Sequence, residues 1–201
     1  MKSDQWIVSL LLLLSLTIGY IVGCDTEKDV AIVEAPITGG TVVKLPDIEL
    51  EHIVQGINSL GELKASHRVL FYYANIIRRE SNRVGYDWQL VVAMIFEESK
   101  FDKLAVSSEG AVGLMQVKPD TAKYIANTIG MSVCREDLFI PETNVKIGVR
   151  YLKSMEEQFG SVESALQAYW LGPTAVNNGI VKYGYVRRVM NSYCTLRGRR
   201  I

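Results

Sequence analysis

Apolar residues recur every three or four positions through most of the chain beyond residue 66, which is the spacing of amphipathic α-helices. Glycine and proline interrupt the pattern at the places where helices end or begin. The predicted helices span about residues 66–80, 88–100, 119–129, 141–159, 162–171 and 185–196. Signals for β-strands are few. The pattern therefore predicts an all-α domain, which we place at residues 62–201.

The chain begins with a segment typical of export. Lys2 precedes an apolar run over residues 7–22, which is short for a membrane span and suits a signal peptide. The run ends in Ile21-Val22-Gly23-Cys24, which resembles the bacterial lipobox, where cleavage leaves a lipidated cysteine. We predict a signal peptide over residues 1–24 and lipidation of Cys24. The alternative is an uncleaved anchor helix with an incidental cysteine.

Residues 25–61 are poor in aromatic side chains and contain Pro36, Pro46 and a pair of glycines, so we predict that they form a tether. A short extended piece is expected within it at 41–43. About 140 residues remain, enough for one domain with its own core. The formal net charge is +0, which gives no electrostatic footprint for nucleic acid.

The number of cysteines is consistent with an exported protein. With Cys24 lipidated, Cys134 and Cys194 remain as a pair that could form a disulfide in an oxidising compartment, the alternative being two buried thiols. His52 and His67 are isolated, and no spacing typical of zinc ligands occurs in the sequence.

The stretch from 97 to 116 carries the candidate chemistry. Two adjacent carboxylates, Glu97 and Glu98, end an apolar run over residues 90–96, and a glycine-rich turn follows. On a helix Glu98 shares a face with apolar residues, so burial should raise its pKa and suit it to general acid catalysis. Glu97 also has apolar neighbours on its face, so periodicity does not choose between the two. A helix-end carboxylate that reaches solvent is the alternative for either.

These residues resemble the signature of a known family, the lytic transglycosylases with a soluble-lytic (Slt-type) domain. The resemblance covers about residues 85–193 and extends beyond the first motif. The matching residues are Glu98-Ser99-Lys100-Phe101, Ala105, Ser107, Gly110-Ala111, Gly113-Leu114-Met115-Gln116, Pro119, Thr121-Ala122, Asn144, Gly148, Tyr151-Leu152, Phe159-Gly160, Ala165-Leu166, Ala168-Tyr169, Gly172-Pro173, Tyr185-Val186 and Val189.

The resemblance implies a lysozyme-like α fold and cleavage of the β-1,4 bond between N-acetylmuramic acid and N-acetylglucosamine in peptidoglycan, with release of a 1,6-anhydro product. It selects Glu98 as the catalytic residue because a serine follows it directly, and it implies no metal or organic cofactor. The expected cellular location is the bacterial cell envelope, where the protein would face the periplasm and be anchored to a membrane. The substrate-binding residues that it implies are Ser107, Met115, Gln116, Tyr169 and Tyr185. We add Trp170 to this set from the chemistry of its own side chain, discussed below.

Ordinary glycosidases place two carboxylates across the scissile bond, whereas this motif supplies one. Our hypothesis is that Glu98 protonates the leaving oxygen and then, as a base, takes the proton of the muramyl 6-hydroxyl. The resemblance predicts that Tyr169 donates a hydrogen bond to Glu98. Packing in the core is the alternative for Met115 and for both tyrosines, and a local backbone bond is the alternative for Ser107.

One departure from the family pattern bears on substrate. The family usually has asparagine after the Ala-Tyr pair, and this chain has Trp170, which offers one N–H donor and a large face for stacking on a sugar. A second hypothesis is therefore a non-catalytic module that binds and tethers peptidoglycan. A third is a lysozyme-like hydrolase on the same fold.

Overall fold

The computed structural model describes residues 47–63 and 65–198. The predicted signal peptide, Cys24 and the predicted extended piece at 41–43 lie outside the described residues. In the described part the chain is helical. Its α-helices are α1 (Ile48–Ser59), α2 (His67–Val84), α3 (Trp88–Ser99), α4 (Pro119–Thr128), α5 (Pro141–Phe159), α6 (Val162–Leu171), α7 (Pro173–Asn177) and α8 (Tyr183–Leu196), with a 3₁₀ helix at Glu136–Phe139.

The six helices predicted from periodicity are present, with ends that differ by a few residues. Local chemistry explains where they end. Gly85 adopts a left-handed φ of 78° after α2, a conformation that suits glycine. Pro119 and Pro141 occupy the first turns of α4 and α5, where the missing N–H costs no hydrogen bond. The prediction of an all-α domain is confirmed.

Helix α3 is the centre of the core. Every residue from Leu90 to Ile95 is buried, so the helix is covered on all sides rather than on one stripe. Helices α1, α2 and α8 pack against it. Its last turn, which carries Glu97 and Glu98, is the part that leaves the core.

The predicted tether is wrong over its last part. Residues 48–59 form α1, whose Leu50, Ile53, Val54 and Ile57 are buried in the same core as α3. Asp47 caps the helix by accepting hydrogen bonds from the backbone N–H groups of Glu49 and Leu50. The folded domain therefore begins before residue 61, because an amphipathic helix must bury its apolar face against the rest.

The possible disulfide is absent, because Cys134 and Cys194 are both free, and the alternative of two buried thiols fails at the exposed Cys134. Cys134 is exposed in the loop after α4, where its Sγ and its backbone N–H both donate to Asp137 Oδ2, at 3.1 and 2.8 Å. Cys194 is half-buried on α8. Among the described helices, none combines the length and the hydrophobicity that crossing a bilayer requires.

Candidate active site

The last turn of α3 separates its two carboxylates. Glu98 is half-buried and faces a cavity, whereas Glu97 is turned to α8, where it contacts Arg188 and Ser192. Burial raises the pKa of Glu98 to about 7, and the neighbouring charge of Glu97 adds to that rise. The Tyr185 hydroxyl and the Arg188 charge act in the opposite direction. The predicted rise in this pKa is confirmed, and Glu98 is poised to give and take a proton near neutral pH.

A tight turn at residues 113–116 lies against the end of α3, and the Gln116 N–H closes it by donating to the Gly113 carbonyl at 3.1 Å. Ser99 Oγ donates to the Leu114 carbonyl at 2.8 Å, so the serine beside Glu98 fastens the turn to the helix. Gly113 has a φ of 78°, and a side chain there would collide with Asn144 and with the Leu138 carbonyl. Glycine is therefore required at this position.

Asn144 on α5 ties the same turn to the rest of the domain. Its Oδ1 accepts from the Met115 N–H, and its Nδ2 donates to the Val112 and Leu138 carbonyls, each at 2.8 Å. The side chain is completely buried, so these bonds replace water for several backbone groups at once. Val112 also pairs with Val106 and Val117 in isolated antiparallel bridges. These bridges fold back the segment 106–118, which contributes residues to the lining of the cavity.

The cavity beside Glu98 has a volume of about 370 Å³. Residues from the turn region, α4, α5, α6 and the start of α7 surround it. The lining residues are Glu98, Ser107, Glu109, Ala111, Gln116, Lys118, Thr121, Tyr151, Tyr169, Trp170, Leu171, Gly172 and Pro173. Hydroxyl, amide and aromatic groups thus surround a single half-buried carboxyl group.

Of the predicted substrate-binding residues, Ser107, Gln116, Tyr169 and Trp170 line this cavity. Ser107 Oγ accepts from the Ala111 N–H at 3.1 Å. Gln116 Nε2 donates to the carbonyls of Ala105 and Gly113, at 3.1 and 3.0 Å. Its side-chain carbonyl oxygen is the group left for a ligand.

The prediction for Met115 is wrong. Its side chain is 0% exposed and packs against α5 at Gly148, where any larger residue would collide with it. The Met115 side chain is buried because α5 and the turn approach each other closely at Gly148. Its carbonyl has a different use, since it accepts a hydrogen bond from the Tyr169 hydroxyl at 2.7 Å.

That bond also corrects the predicted partner of Tyr169. The hydroxyl proton points to the Met115 carbonyl rather than to Glu98. Burial raises the pKa of Tyr169 well above its usual value, and the charge of Glu98 raises it further, so the phenol lies near that carboxyl and stays neutral. Tyr169 therefore holds the turn in place from α6.

Tyr185 lies behind the cavity wall rather than in its lining. Its ring is buried and stacks on Trp170, with centroids 5.9 Å and planes 13° apart. Its hydroxyl makes no hydrogen bond of ordinary length in the described residues, yet it is near enough to Glu98 for each to shift the pKa of the other. Glu98 is therefore the group on which this hydroxyl acts.

The sequence-based prediction missed Glu109, Lys118, Thr121 and Tyr151, which all line the cavity. Lys118 Nζ and Glu109 Oε2 lie 3.9 Å apart at its rim, and both side chains are largely exposed. Tyr151 packs on Tyr169 with ring centroids 5.0 Å apart. Thr121 and Tyr151 belong to the motifs that the resemblance covers, a signal that could have found them, whereas nothing in the local sequence distinguishes Glu109 from a solvated charge.

A comparison with protein families gives a match to one family model. The model described as the transglycosylase SLT domain matches residues 75–186, which is more than half of the chain. The chain belongs to the SLT transglycosylase domain family. The predicted resemblance to Slt-type lytic transglycosylases is confirmed.

Curated proteins similar to this SLT-domain chain are named membrane-bound lytic murein transglycosylases. Form F of Desulfosudis oleivorans is 34% identical over 112 residues, which are 56% of this chain and 22% of that protein. Form C of Edwardsiella ictaluri is 33% identical over 124 residues, which are 60% of this chain and 34% of that protein. The matched part thus spans only 22% and 34% of the length of these two relatives.

Solved structures show the same fold. The 70 kDa soluble lytic transglycosylase of Escherichia coli matches 63% of this chain and 25% of its own, with a TM-score of 0.56 and 26% identity. The lytic transglycosylase Slt of Pseudomonas aeruginosa matches 68% and 24%, with a TM-score of 0.57 and 24% identity. The predicted lysozyme-like fold is confirmed.

Proposed function

We propose that this protein is a lytic transglycosylase that cleaves the β-1,4 bond between N-acetylmuramic acid and N-acetylglucosamine in peptidoglycan, without water, to give 1,6-anhydromuramic ends. The observation that carries the proposal is a half-buried Glu98 with a pKa of about 7 at a polar, aromatic cavity in an SLT domain. The names of the similar curated proteins support the reaction class.

In the first step Glu98 is the general acid. Its neutral form, favoured by burial, protonates the glycosidic oxygen as the bond to the muramyl carbon breaks. The acetamido oxygen of the substrate stabilises the cationic sugar carbon, so this step needs no second carboxylate from the protein. The Tyr185 hydroxyl then donates to the carboxylate that forms.

In the second step Glu98 is the general base. The carboxylate accepts the proton of the muramyl 6-hydroxyl, whose oxygen attacks the same carbon and closes the anhydro ring. Glu98 ends protonated, and no water is consumed. A group with a pKa near the working pH can serve both steps, each typically worth about 10²–10⁴-fold in rate.

Side chains that line the cavity bind the glycan. Trp170 is 44% exposed, and its stacking on Tyr185 holds the indole as a rigid surface for a sugar ring. Ser107, Thr121 and the Gln116 carbonyl oxygen are hydrogen-bonding groups at the same cavity. This set favours a ligand with both apolar faces and hydroxyl or amide groups, as an amino-sugar has.

The test is digestion of purified peptidoglycan followed by mass spectrometry of the soluble muropeptides. Wild type should release products that end in anhydromuramic acid, one water lighter than products with reducing ends. Glu98→Gln should release none above background. Equal release by the two proteins would remove the catalytic role of Glu98, and release by neither would leave a binding and tethering module.

A second candidate function is lysozyme-like hydrolysis, and the position of Glu109 favours it. Glu109 is a second carboxylate at the same cavity, and paired carboxylates are what hydrolytic glycosidases use. Its exposure and its contact with Lys118 argue for a rim role instead. Glu109→Gln should therefore keep most activity in a transglycosylase, whereas a hydrolase that depends on it would lose activity and would give reducing ends.

We further propose that lipid on Cys24 holds the domain at a membrane of a bacterial envelope, with peptidoglycan as its substrate there. The names of the curated relatives describe membrane-bound proteins, which supports this placement. The intact mass of the membrane-extracted protein should show cleavage before Cys24 and added acyl chains. An unmodified Cys24 in the extracted protein would contradict the anchor.

A further inference from the structure

Glu97, the neighbour of the proposed catalytic residue, is itself built into a polar contact. Its side chain is only 10% exposed. Its Oε2 accepts from Arg188 Nε at 3.3 Å, its Oε1 accepts from Ser192 Oγ at 2.9 Å, and Lys100 Nζ lies 3.9 Å from Oε1. These contacts hold the Glu97 side chain in one orientation between the end of α3 and α8.

The partners of Glu97 lie on the helix that carries Tyr185. Arg188 follows Tyr185 by three positions on α8, and its guanidinium lies over the Tyr185 ring, 5.9 Å from the centroid. Ser192 lies one turn further along the same face. The contacts of Glu97 therefore fix the rotation of α8 against the end of α3, and this rotation puts the Tyr185 hydroxyl beside Glu98.

We propose that Glu97 and Arg188 are a positioning pair for Glu98: their ion pair locks α8 onto α3, and their opposite charges balance each other beside the acid. This inference rests on the proposed function. The Arg188 charge favours the ionised form of Glu98 and the Glu97 charge disfavours it, so neutralising either one removes one of two opposing effects on Glu98.

Other titratable groups also lie around Glu98, and they influence its pKa together with Glu97 and Arg188. On α8 the Tyr185 hydroxyl favours the carboxylate. Tyr169 on α6 and Tyr151 on α5 are neutral phenols at neutral pH. Across the cavity, Glu109 and Lys118 carry opposite charges 3.9 Å apart and largely exposed.

The test is a set of charge-neutralising variants measured by the pH dependence of kcat/KM. Only protonated Glu98 starts the reaction, so kcat/KM falls as pH rises through its pKa in the free enzyme. Glu97→Gln should move this fall to lower pH and Arg188→Gln to higher pH, each by roughly half to one pH unit. The double variant should return close to the wild-type position with a lower kcat.

Matched controls separate this effect from packing. Arg188→Lys keeps the positive charge and should leave unchanged the pH at which kcat/KM falls. Glu163→Gln and Lys123→Gln remove one charge each at exposed positions of α6 and α4, and they should change nothing. Circular dichroism checks that each variant folds, and if Glu97→Gln does not fold, the Arg188→Gln and Arg188→Lys pair decides.

A direct titration keeps this inference distinct from the proposed function. The Glu98 carboxyl signal, assigned by its loss in Glu98→Gln, can be followed by carbon NMR in labelled protein without any substrate. Opposite shifts in the two variants support the pair even if peptidoglycan is not cleaved. Shifts in the same direction, or none in either variant, overturn it, and so does loss of rate at every pH without displacement of the fall.

Discussion

At the residue scale, the behaviour of Glu98 follows from where α3 ends. The apolar run predicts burial, and burial raises the pKa of Glu98, as expected from the sequence. Periodicity did not separate Glu98 from Glu97, because both share faces with apolar residues. The choice depends on what lies opposite each, a cavity for Glu98 and Arg188 for Glu97, and neighbours 91 positions away cannot be inferred from local spacing.

The raised pKa of Glu98 has a consequence for stability. The folded state holds this proton more tightly than the unfolded chain, so stability falls as pH rises from the ordinary value of 4.5 through about 7. A glutamine side chain does not ionise, so the stability of Glu98→Gln lacks this dependence on pH. Glu98→Gln should therefore be more stable than wild type by about 1–3 kcal/mol near pH 8, and by little near pH 4.

Urea unfolding at the two pH values measures this difference, and Glu163→Gln, at an exposed position on α6, is the matched control. An advantage of Glu98→Gln that is the same at both pH values would mean that ionisation of the carboxyl is not its cause.

The hydroxyl of Tyr185 gives a second prediction at this scale. It favours the charged form of Glu98 and otherwise lacks a partner in the described residues. Tyr185→Phe should raise the pKa of Glu98 and move the fall in kcat/KM to higher pH, while the free energy of unfolding changes by less than about 1 kcal/mol. The pH–rate profile and urea unfolding are the measurements.

Tyr169→Phe is the matched comparison because its hydroxyl has a partner. It loses the 2.7 Å bond to the Met115 carbonyl and should destabilise the protein by about 1–3 kcal/mol. If Tyr185→Phe destabilised as much and left the pH profile in place, the role given to the Tyr185 hydroxyl would be wrong.

At the scale of elements, periodicity together with glycine and proline predicted six of the eight α-helices in the described residues, while α1 and the short α7 were missed. Proline and glycine before residue 47 favoured a tether, and the prediction extended it too far. The signal for α1 was present, because Leu50, Ile53, Val54 and Ile57 follow helical spacing and Asp47 caps them.

Substitutions on the two faces of α1 test its place in the core. Ile53 is completely buried, so Ile53→Ala should lower the free energy of unfolding by about 2–5 kcal/mol. Ile48 lies on the same helix and is 82% exposed, so Ile48→Ala should cost little. Urea unfolding measures both, and equal small effects would restore the tether prediction.

At the scale of the whole molecule, the site depends on contacts that join distant parts of the chain. Asn144 reaches the turn from α5, and Tyr169 reaches it from α6. The family motifs pointed to Ser107, Gln116 and Tyr169, which line the cavity, but they did not show that Tyr169 donates to the Met115 carbonyl. The even number of remaining cysteines likewise could not show that Cys134 lies beside Asp137 rather than Cys194.

The central claim is that one carboxyl group, at Glu98, breaks the glycan by using the substrate's own hydroxyl in place of water. Digestion of peptidoglycan in water labelled with heavy oxygen tests it most directly, with a hydrolytic lysozyme as the positive control for labelling. We predict anhydromuramic products that carry no label, and none from Glu98→Gln. Reducing ends that carry the heavy oxygen would contradict the account.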